Sequence, residues 1–403
     1  MDLIRSGATS TTNGDQAMKR QVLRNAFDRM LHDASCSIRG IPAFIDDAKD
    51  LKVEQAPLLQ GGTVSVSLED ENQFYGDTLP PSVTRWRSVS LYRLQDARVV
   101  GDQGSVFTEE GKLLRICPSL KRMDLAKVRR PIPWLARRMR GSAFHLTGRD
   151  HENHGHFLMQ HLPRLMAARL FLEKQGLEPE ILVAPGHEKW QGRYLSALKI
   201  DAQRIVPCST GTVHIDDLLY VPMLWDSGHL GPPDLYAQMQ SCFRHLGGVM
   251  EGVTPKGRPL FVSRSDAPTR RLSNETEIIN MCRQLLGEID VINLREVPLI
   301  EQIRRFAEAP LVIGPQGQGL TSIAFAANCR MLILEAGQSP RESGWASTYR
   351  DFAHFTGNSA LRMLSGEPWP NDGDWEFPPA FFAQQLRRVI SLGLHLHRPS
   401  VLF

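Results

Sequence analysis

Apolar and polar positions alternate with different periods along the chain. "AMKRQVLRNAFDRMLHDA" spaces its apolar residues as a helix does. From Gly61 to Pro118 the runs become short and β-rich: "TVSVSL", "SVSLYRLQDARVV", "GSVFT" and "KLLRICP", cut by Gly and Asp. "TEEGKLLRI" reads as a tight hairpin around Gly111. This stretch predicts an antiparallel β subdomain. From about Gly141, strand-like and helix-like runs alternate. "EILVAP" and "DDLLYVP" read as buried strands, and "RYLSALKI" and "DLYAQMQSCFRHLG" as helices. "HFLMQHLPRLMAARLFLEKQG" is helical, with a kink or break expected at Pro163.

After the Gly/Pro-rich "EGVTPKGRP", the best linker, a second alternating unit begins. Its strands are "PLFVSR", "IDVINL", "PLVIG" and "RMLILEAG". Its helices are "NETEIINMCRQLLG", with Ser273 or Asn274 as N-cap, and "PLIEQIRRFAEA". "PAFFAQQLRRVISLGLHLH" is a final helix. Alternation of this kind predicts parallel sheets with helical crossovers. The expected fold is α/β, with two Rossmann-like lobes facing a cleft and an N-terminal β-rich subdomain. The expected division is a disordered tail over 1–18 and a helix, β-rich region and basic segment over 19–140. An α/β acceptor lobe over 141–252 and an α/β lobe over 258–403 follow, the last helix of the latter crossing back.

Composition narrows the partners. A net charge of +3 over 403 residues gives no global argument for binding nucleic acid or an anionic membrane. Basic chemistry must be local, as in Lys121–Arg140, where Trp134, Leu135 and Met139 sit among cations. This segment reads first as a solvated face broken by Pro131 and Pro133. The alternative is peripheral contact with an anionic membrane or a polyanionic substrate. The six cysteines form no C-x-x-C pair and read as reduced structural thiols. The N-terminus has no apolar signal core, and no run is long enough to span a bilayer. The expected location is the cytoplasm, with or without attachment to the inner membrane.

Three segments carry candidate chemistry. In "LVIGPQGQGLTSIAFA", Gly314, Gly317 and Gly319 follow a strand. The spacing is neither a dinucleotide fingerprint nor a P-loop. Glycines still admit a ligand close to the backbone, and amides at Leu320, Thr321 and Ser322 would favour an anion. In "FVSRSDAPTRRLSNE", Arg264 leaves a strand, and Arg270 and Arg271 precede a helix. Their forks suit phosphate; pairing with Asp266 and Glu275 is the alternative. In "RDHENHGHFLMQHLPRL", four histidines join Asp150 and Glu152. That cluster admits a metal through His154 and His156, acid–base work, or a plain polar loop. Asp372-Gly373-Asp374 lies in a Pro/Gly/Asn loop and reads as a turn.

Together these segments resemble glycosyltransferase family 61. The family's N-x-x-H-x-x-x-D-x-L-P-R-L corresponds to Asn153, His156, Leu162, Pro163, Arg164 and Leu165. Its S-R-x-x-A-x-x-R-x-x-x-N-E corresponds to Ser263, Arg264, Ala267, Arg270, Asn274 and Glu275. Its G-x-H-G-x-G-L-[TS] corresponds to Gly314, Gly317, Gly319, Leu320 and Thr321, and a later strand supplies Glu335. The resemblance implies a GT-B-like architecture and an inverting, metal-independent transfer without a resident cofactor. The donor would be a nucleoside-diphosphate sugar and the acceptor a glycan or lipid-linked glycan, as in bacterial capsule or surface polysaccharide synthesis. Arg264, Arg270 and the Leu320–Thr321 amides would hold the diphosphate, with Gln316 beside them, and Glu335 the ribose. Two positions depart from the pattern: Gln160 replaces an aspartate and Gln316 a histidine. Glutamine is neither a base nor a cation. The nearest substitutes for a base are His156 and Glu152. The alternative is a silent relative that binds a nucleotide-sugar or glycan without turnover.

Overall fold

The computed structural model describes residues 44–45, 54–66, 68–76, 82–86, 88–101, 103–114, 131–148, 150–187, 190–208, 211–224, 230–249, 255–337, 345–368 and 373–393. The expected tail, the first helix, residues 121–130 and Asp372 lie outside them. In chain order the first strands are β1 (Phe44–Ile45), β2 (Glu54–Leu59), β3 (Gly62–Val66), β4 (Ser82–Trp86), β5 (Val89–Val100), β6 (Ser105–Phe107) and β7 (Leu113–Leu114). They continue as β8 (Arg137–His145), β9 (Glu180–Val183), β10 (Ile205–Pro207) and β11 (Thr212–Tyr220). The second unit adds β12 (Leu260–Val262), β13 (Asp290–Ile292), β14 (Leu311–Pro315), β15 (Arg330–Glu335) and β16 (Ser359–Leu364). The main helices are α1 (Glu69–Tyr75), α2 (Leu162–Lys174), α3 (Gln191–Ala197), α4 (Pro233–Leu246), α5 (Glu275–Leu286), α6 (Leu299–Glu308), α7 (Trp345–Phe355) and α8 (Pro379–Ser391).

The fold is mixed α/β. The first sheet runs β1-β7-β6-β5-β11-β8-β9-β10, with β2 on β5. Its β11, β8, β9 and β10 are mutually parallel, and β5 joins them antiparallel through β11. The expected β-rich region is therefore continuous with a parallel half. Its hairpin is present: Gly111 takes a positive φ of 79° between β6 and β7, a conformation glycine adopts without steric cost. The basic segment forms no helix from Pro131 onward: a 3-10 turn leads into β8, whose Met139 is buried.

The second sheet is wholly parallel in the order β13-β12-β14-β15-β16. This is a doubly wound order. The chain leaves β12 for β13 on one side and returns to β14 on the other, so the switch point lies between β12 and β14. All strand carboxyl ends lie along one edge. One hydrophobic core reaches both sheets, from Phe144 and Val183 to Val262 and Ile333. The β3–α1–β4 excursion docks on the second sheet. Asp70 pairs with Arg330, Glu71 with Arg350 at 3.3 Å, and the Tyr75 hydroxyl donates to the Arg362 carbonyl at 2.9 Å.

Between β8 and β9 the chain enters a helical turn, His154–His156, then a π-helical turn, Phe157–His161, then α2. Pro163 neither breaks nor ends this helix. The π turn passes the Leu162 amide to the Phe157 carbonyl, and the Tyr236 hydroxyl donates to the Met159 carbonyl at 2.8 Å. The group that the proline leaves without a helical donor thus finds one across the core. No helix among the described residues is long and apolar enough to cross a membrane.

Candidate functional site

A cavity of about 660 Å³ lies where loops from both sheets meet, a size ordinary for a small-molecule site. From the first sheet come Glu152 and His154, which follow β8, and Trp190, Arg193 and Tyr194, which follow β9. From the second come Arg264 after β12, Arg295 after β13, and Gln318 and Gly319 after β14. The wall on that side is the edge where an open parallel sheet presents its strand ends.

Arg264 is the central cation. A Cβ on Gly317 would lie 1.7 Å from Arg264 Nη1 and 2.7 Å from Cζ, so the guanidinium rests directly on the glycine's backbone. Gly317 is extended, with φ 171°, so the close approach and not backbone freedom is what demands glycine there. The Arg264 amide donates to Glu275 Oε2 at 2.9 Å, which anchors the loop. Its Nη2 donates to the Thr269 carbonyl at 3.1 Å. Burial, then the neighbouring Arg270 charge, pushes the Arg264 pKa down. A guanidinium keeps its charge at neutral pH regardless, so the paired cations make the site favour an anion.

Arg270 lies close enough to act on Arg264 but is not among the cavity-lining residues. It holds a left-handed φ of 56°, which for a non-glycine costs about 1 kcal/mol. Both arginines act on buried Tyr349, whose hydroxyl is pushed up to about 12 by burial and drawn down by the two cations. The Nε atoms of Arg264 and Arg270 and the Oε1 of Gln316 are buried without hydrogen-bond partners among the described residues. The carboxylates offered by the sequence as alternatives are engaged elsewhere. Asp266 pairs with Arg295 at 3.0 Å, and Glu275 takes the Arg264 amide and the Ser263 hydroxyl. Arg271 is held by Asp374 at 2.7 Å, which gives that aspartate a turn-stabilising role.

The loop after β14 continues as a 3-10 helix, Gln318–Phe325, not as an α-helix. The Leu320 amide donates to the Gly317 carbonyl at 3.0 Å. That corrects the sequence reading of Leu320 as an anion donor. The N–H groups ahead of it, on Gln318 and Gly319, are the helix's open donors, and both residues line the cavity. Thr321 is fully buried, and its hydroxyl donates to the Gln318 carbonyl at 2.7 Å. Gln318 also bridges to the first sheet: its Oε1 accepts the His154 amide at 3.0 Å.

On the first-sheet side, Asn153 caps the helical turn by accepting the His156 amide at 3.1 Å. It is a positioning residue and does not line the cavity. His154, which the sequence offers as a metal ligand, an acid–base group or part of a polar loop, is part of the wall. Its Nε2 lies 2.7 Å from the Tyr194 hydroxyl, and burial pushes its pKa down to about 4. It is a neutral hydrogen-bonded strut, and its Nε2 is already engaged. Glu152 projects into the cavity region with an exposed side chain, whereas His156 is not among the lining residues.

Two residues expected in the site are structural. The Arg164 guanidinium is fully buried and donates to the carbonyls of Val221 (2.6 Å), Thr147 (3.1 Å) and His145 (2.8 Å). It also meets His145 Nδ1 at 3.1 Å, and burial plus this cation push His145 down to about 3. Glu335 is buried against Arg362 at 2.9 Å and does not line this cavity. The sequence marks Arg193 and Tyr194 only as part of a helix and does not mark Trp190 at all. The signal that could have found them is their spacing of three and four residues, about one turn, which the Arg193 amide closes onto the Trp190 carbonyl at 3.1 Å.

Residues 154–333 match the family model described as Glycosyltransferase 61. That span contains every cavity residue except Glu152. The match supports glycosyl transfer as the chemistry of this chain. No curated protein sequence matches. Among solved structures 17 chains match. One is the dodecameric iron-containing heptosyltransferase TibC in complex with ADP-D-beta-D-heptose. It is 12% identical, with 76% of this chain and 81% of that chain covered and a TM-score of 0.25.

Proposed function

We propose that this chain is an inverting glycosyltransferase of family 61 that moves a sugar from a nucleoside diphosphate to a glycan acceptor, in bacterial polysaccharide synthesis. The observation that carries the reading is Arg264, laid against Gly317 at the switch point and open to a cavity walled by both sheets. A diphosphate there meets a guanidinium fork and the open amides of Gln318 and Gly319. As the anomeric bond breaks, negative charge grows on the leaving phosphate, and these fixed donors stabilise it without reorganising. Arg270 adds positive potential behind Arg264.

The acceptor hydroxyl attacks from the first-sheet side. Glu152 is the carboxylate on that wall and takes the proton. The bond to the leaving oxygen breaks as the bond from the acceptor oxygen forms, which inverts the anomeric centre. Leaving-group stabilisation is assigned to arginines and amides, and Asp374 is committed to Arg271, so the proposal uses neither a metal nor a resident cofactor. In this reading the two parallel units act as the two lobes of a GT-B-like enzyme. It works on the cytoplasmic face, and residues 121–140 supply any membrane contact.

The test is a panel of nucleoside diphosphates by calorimetry, followed by release of nucleotide from the cognate sugar donor. Wild type should bind one nucleotide and release it only with acceptor present, and Arg264→Ala should lose binding. Absence of binding across the panel, or an unaffected Arg264→Ala, overturns the proposal. Replacement of the family's aspartate by buried Gln160 motivates the second reading, a binding protein without turnover. Tight nucleotide binding with no donor consumed would establish it.

A further inference from the structure

The cavity holds five charged side chains: Arg193, Arg264, Arg295, Glu152 and Asp266. Arg295 and Asp266 neutralise each other at 3.0 Å. Arg264 is assigned to the donor phosphates and Glu152 to the acceptor proton. Arg193 is left over. It is exposed on α3 and lines the cavity from the first-sheet side, whereas Arg264 comes from the second sheet. No carboxylate among the described residues forms an ion pair with it.

Trp190 lies one helical turn before Arg193 and lines the same cavity. Its indole is braced edge-on by Phe157 at 5.1 Å, His154 at 5.4 Å and Tyr194 at 6.2 Å between ring centroids. Three such contacts hold the ring before any ligand arrives, and the cavity is open beside it. A fixed indole is a platform for the C–H face of a sugar, and a guanidinium one turn away reaches a group at the ring's edge. A neutral sugar would leave that cation without a partner. A carboxylate or phosphate ester would meet it in a bidentate fork.

We propose that Trp190 and Arg193 form an acceptor subsite for a sugar bearing an anionic substituent, a uronate carboxylate or a sugar phosphate. This rests on the donor assignment only in placing the acceptor opposite Arg264. The acidic group would also orient the ring, so that one hydroxyl faces Glu152.

The test is saturation-transfer NMR and calorimetry on the full chain with methyl β-glucuronide, glucose 6-phosphate and methyl β-glucoside, each with and without a saturating nucleoside diphosphate. At least one acidic sugar should bind about fivefold or more tighter than the neutral glucoside, the size of one charge-assisted hydrogen bond at a solvated site. The two acidic probes separate a carboxylate preference from a phosphate preference. Arg193→Gln should abolish the preference and leave nucleotide affinity unchanged; Arg193→Lys should keep part of it. Arg193 is exposed, so these variants fold. Equal binding of acidic and neutral sugars, or a preference that survives Arg193→Gln, overturns the subsite. Failure of every nucleotide to bind overturns the donor reading alone, because the sugar comparison is also made without nucleotide.

Discussion

Gly317→Ala separates binding from folding. The backbone there is extended, at φ 171° and ψ 172°, so alanine meets no conformational penalty. The new Cβ would lie 1.7 Å from Arg264 Nη1, 2.7 Å from Cζ and 3.0 Å from Cδ. Those atoms end a flexible side chain, and the Arg264 amide stays fixed by Glu275, so the guanidinium swings away while the loop remains. Folding loses the Nη2 bond to Thr269, about 1 kcal/mol, and regains about 0.4–1 kcal/mol from the stiffer unfolded chain. The two nearly cancel. Binding loses a charge-assisted contact of about 1.5–3 kcal/mol, which weakens Kd roughly 10- to 150-fold. Calorimetry with the cognate nucleotide, beside thermal melts, reads both quantities. The decisive control is the double mutant: in an Arg264→Ala background, Gly317→Ala should cost no further affinity. Retained affinity in the single mutant, or an equal loss in both backgrounds, refutes the placement of the phosphate site.

Three other expectations follow from the same geometry. Glu152→Gln should lower kcat by about 100-fold or more while nucleotide Kd stays constant, and undiminished turnover would remove Glu152 as base. His145, His154 and His354 are held neutral, their pKa values lowered by burial to about 3, 4 and 4. The unfolded chain takes up these protons from pH about 6.5 downward, and the folded chain only near 4 and below. Stability is therefore complete above that window and falls through it, by at most about 1.4 kcal/mol per pH unit for each histidine. Urea midpoints at pH about 7.5 and 5.5 measure this, and equal midpoints would contradict it. Arg164→Leu leaves three buried carbonyls without their donor and should destabilise by about 3 kcal/mol or more in urea melts, whereas a near-neutral effect would argue against its structural role.

The parts of the fold with a clean period were legible. β5, α4, β12 to β15 and α6 appear where strand or helix spacing placed them. β16 and α7 were not read. "SALRML" carries an arginine in its middle, and in the buried strand that arginine pairs with the distant Glu335. "WASTYRDFAHF" mixes aromatic and hydroxyl residues of indifferent helix propensity, and its helix rests on packing against the 3-10 helix Gln318–Phe325 and the strands β15 and β16. The 3-10 form of Gln318–Phe325 was also hidden. Its terminal carbonyls at Ile323 and Ala326 receive Asn358 Nδ2, each at 3.2 Å, from a residue more than thirty positions away. Among site residues, Arg264 and Gly317 were legible because a strand end and a glycine turn are local signals. Arg164 and Glu335 were misplaced because their partners are remote in sequence.

The first motif can now be sorted by what each residue touches. Asn153 caps the helical turn, Pro163 is accommodated through Tyr236, and Arg164 ties the helix to the ends of β8 and β11. A Cβ on Gly155 would lie 3.3 Å from Thr321 Cγ2, so glycine lets this turn approach the loop after β14. None of these residues lines the cavity; each holds the segment that carries Glu152 and His154. Gln160 belongs with them: it is 2% exposed on the π turn and does not line the cavity. An ionised aspartate at such a depth would need a compensating partner, whereas a glutamine carries no charge to desolvate. Its presence therefore removes no base from the cavity, where Glu152 stands. The other replacement, Gln316, directly follows β14, and its Oε1 is buried without a hydrogen-bond partner among the described residues. Gln316→His is the sharper probe of the two: it should raise turnover or tighten the diphosphate, while Gln160→Asp should act on stability alone.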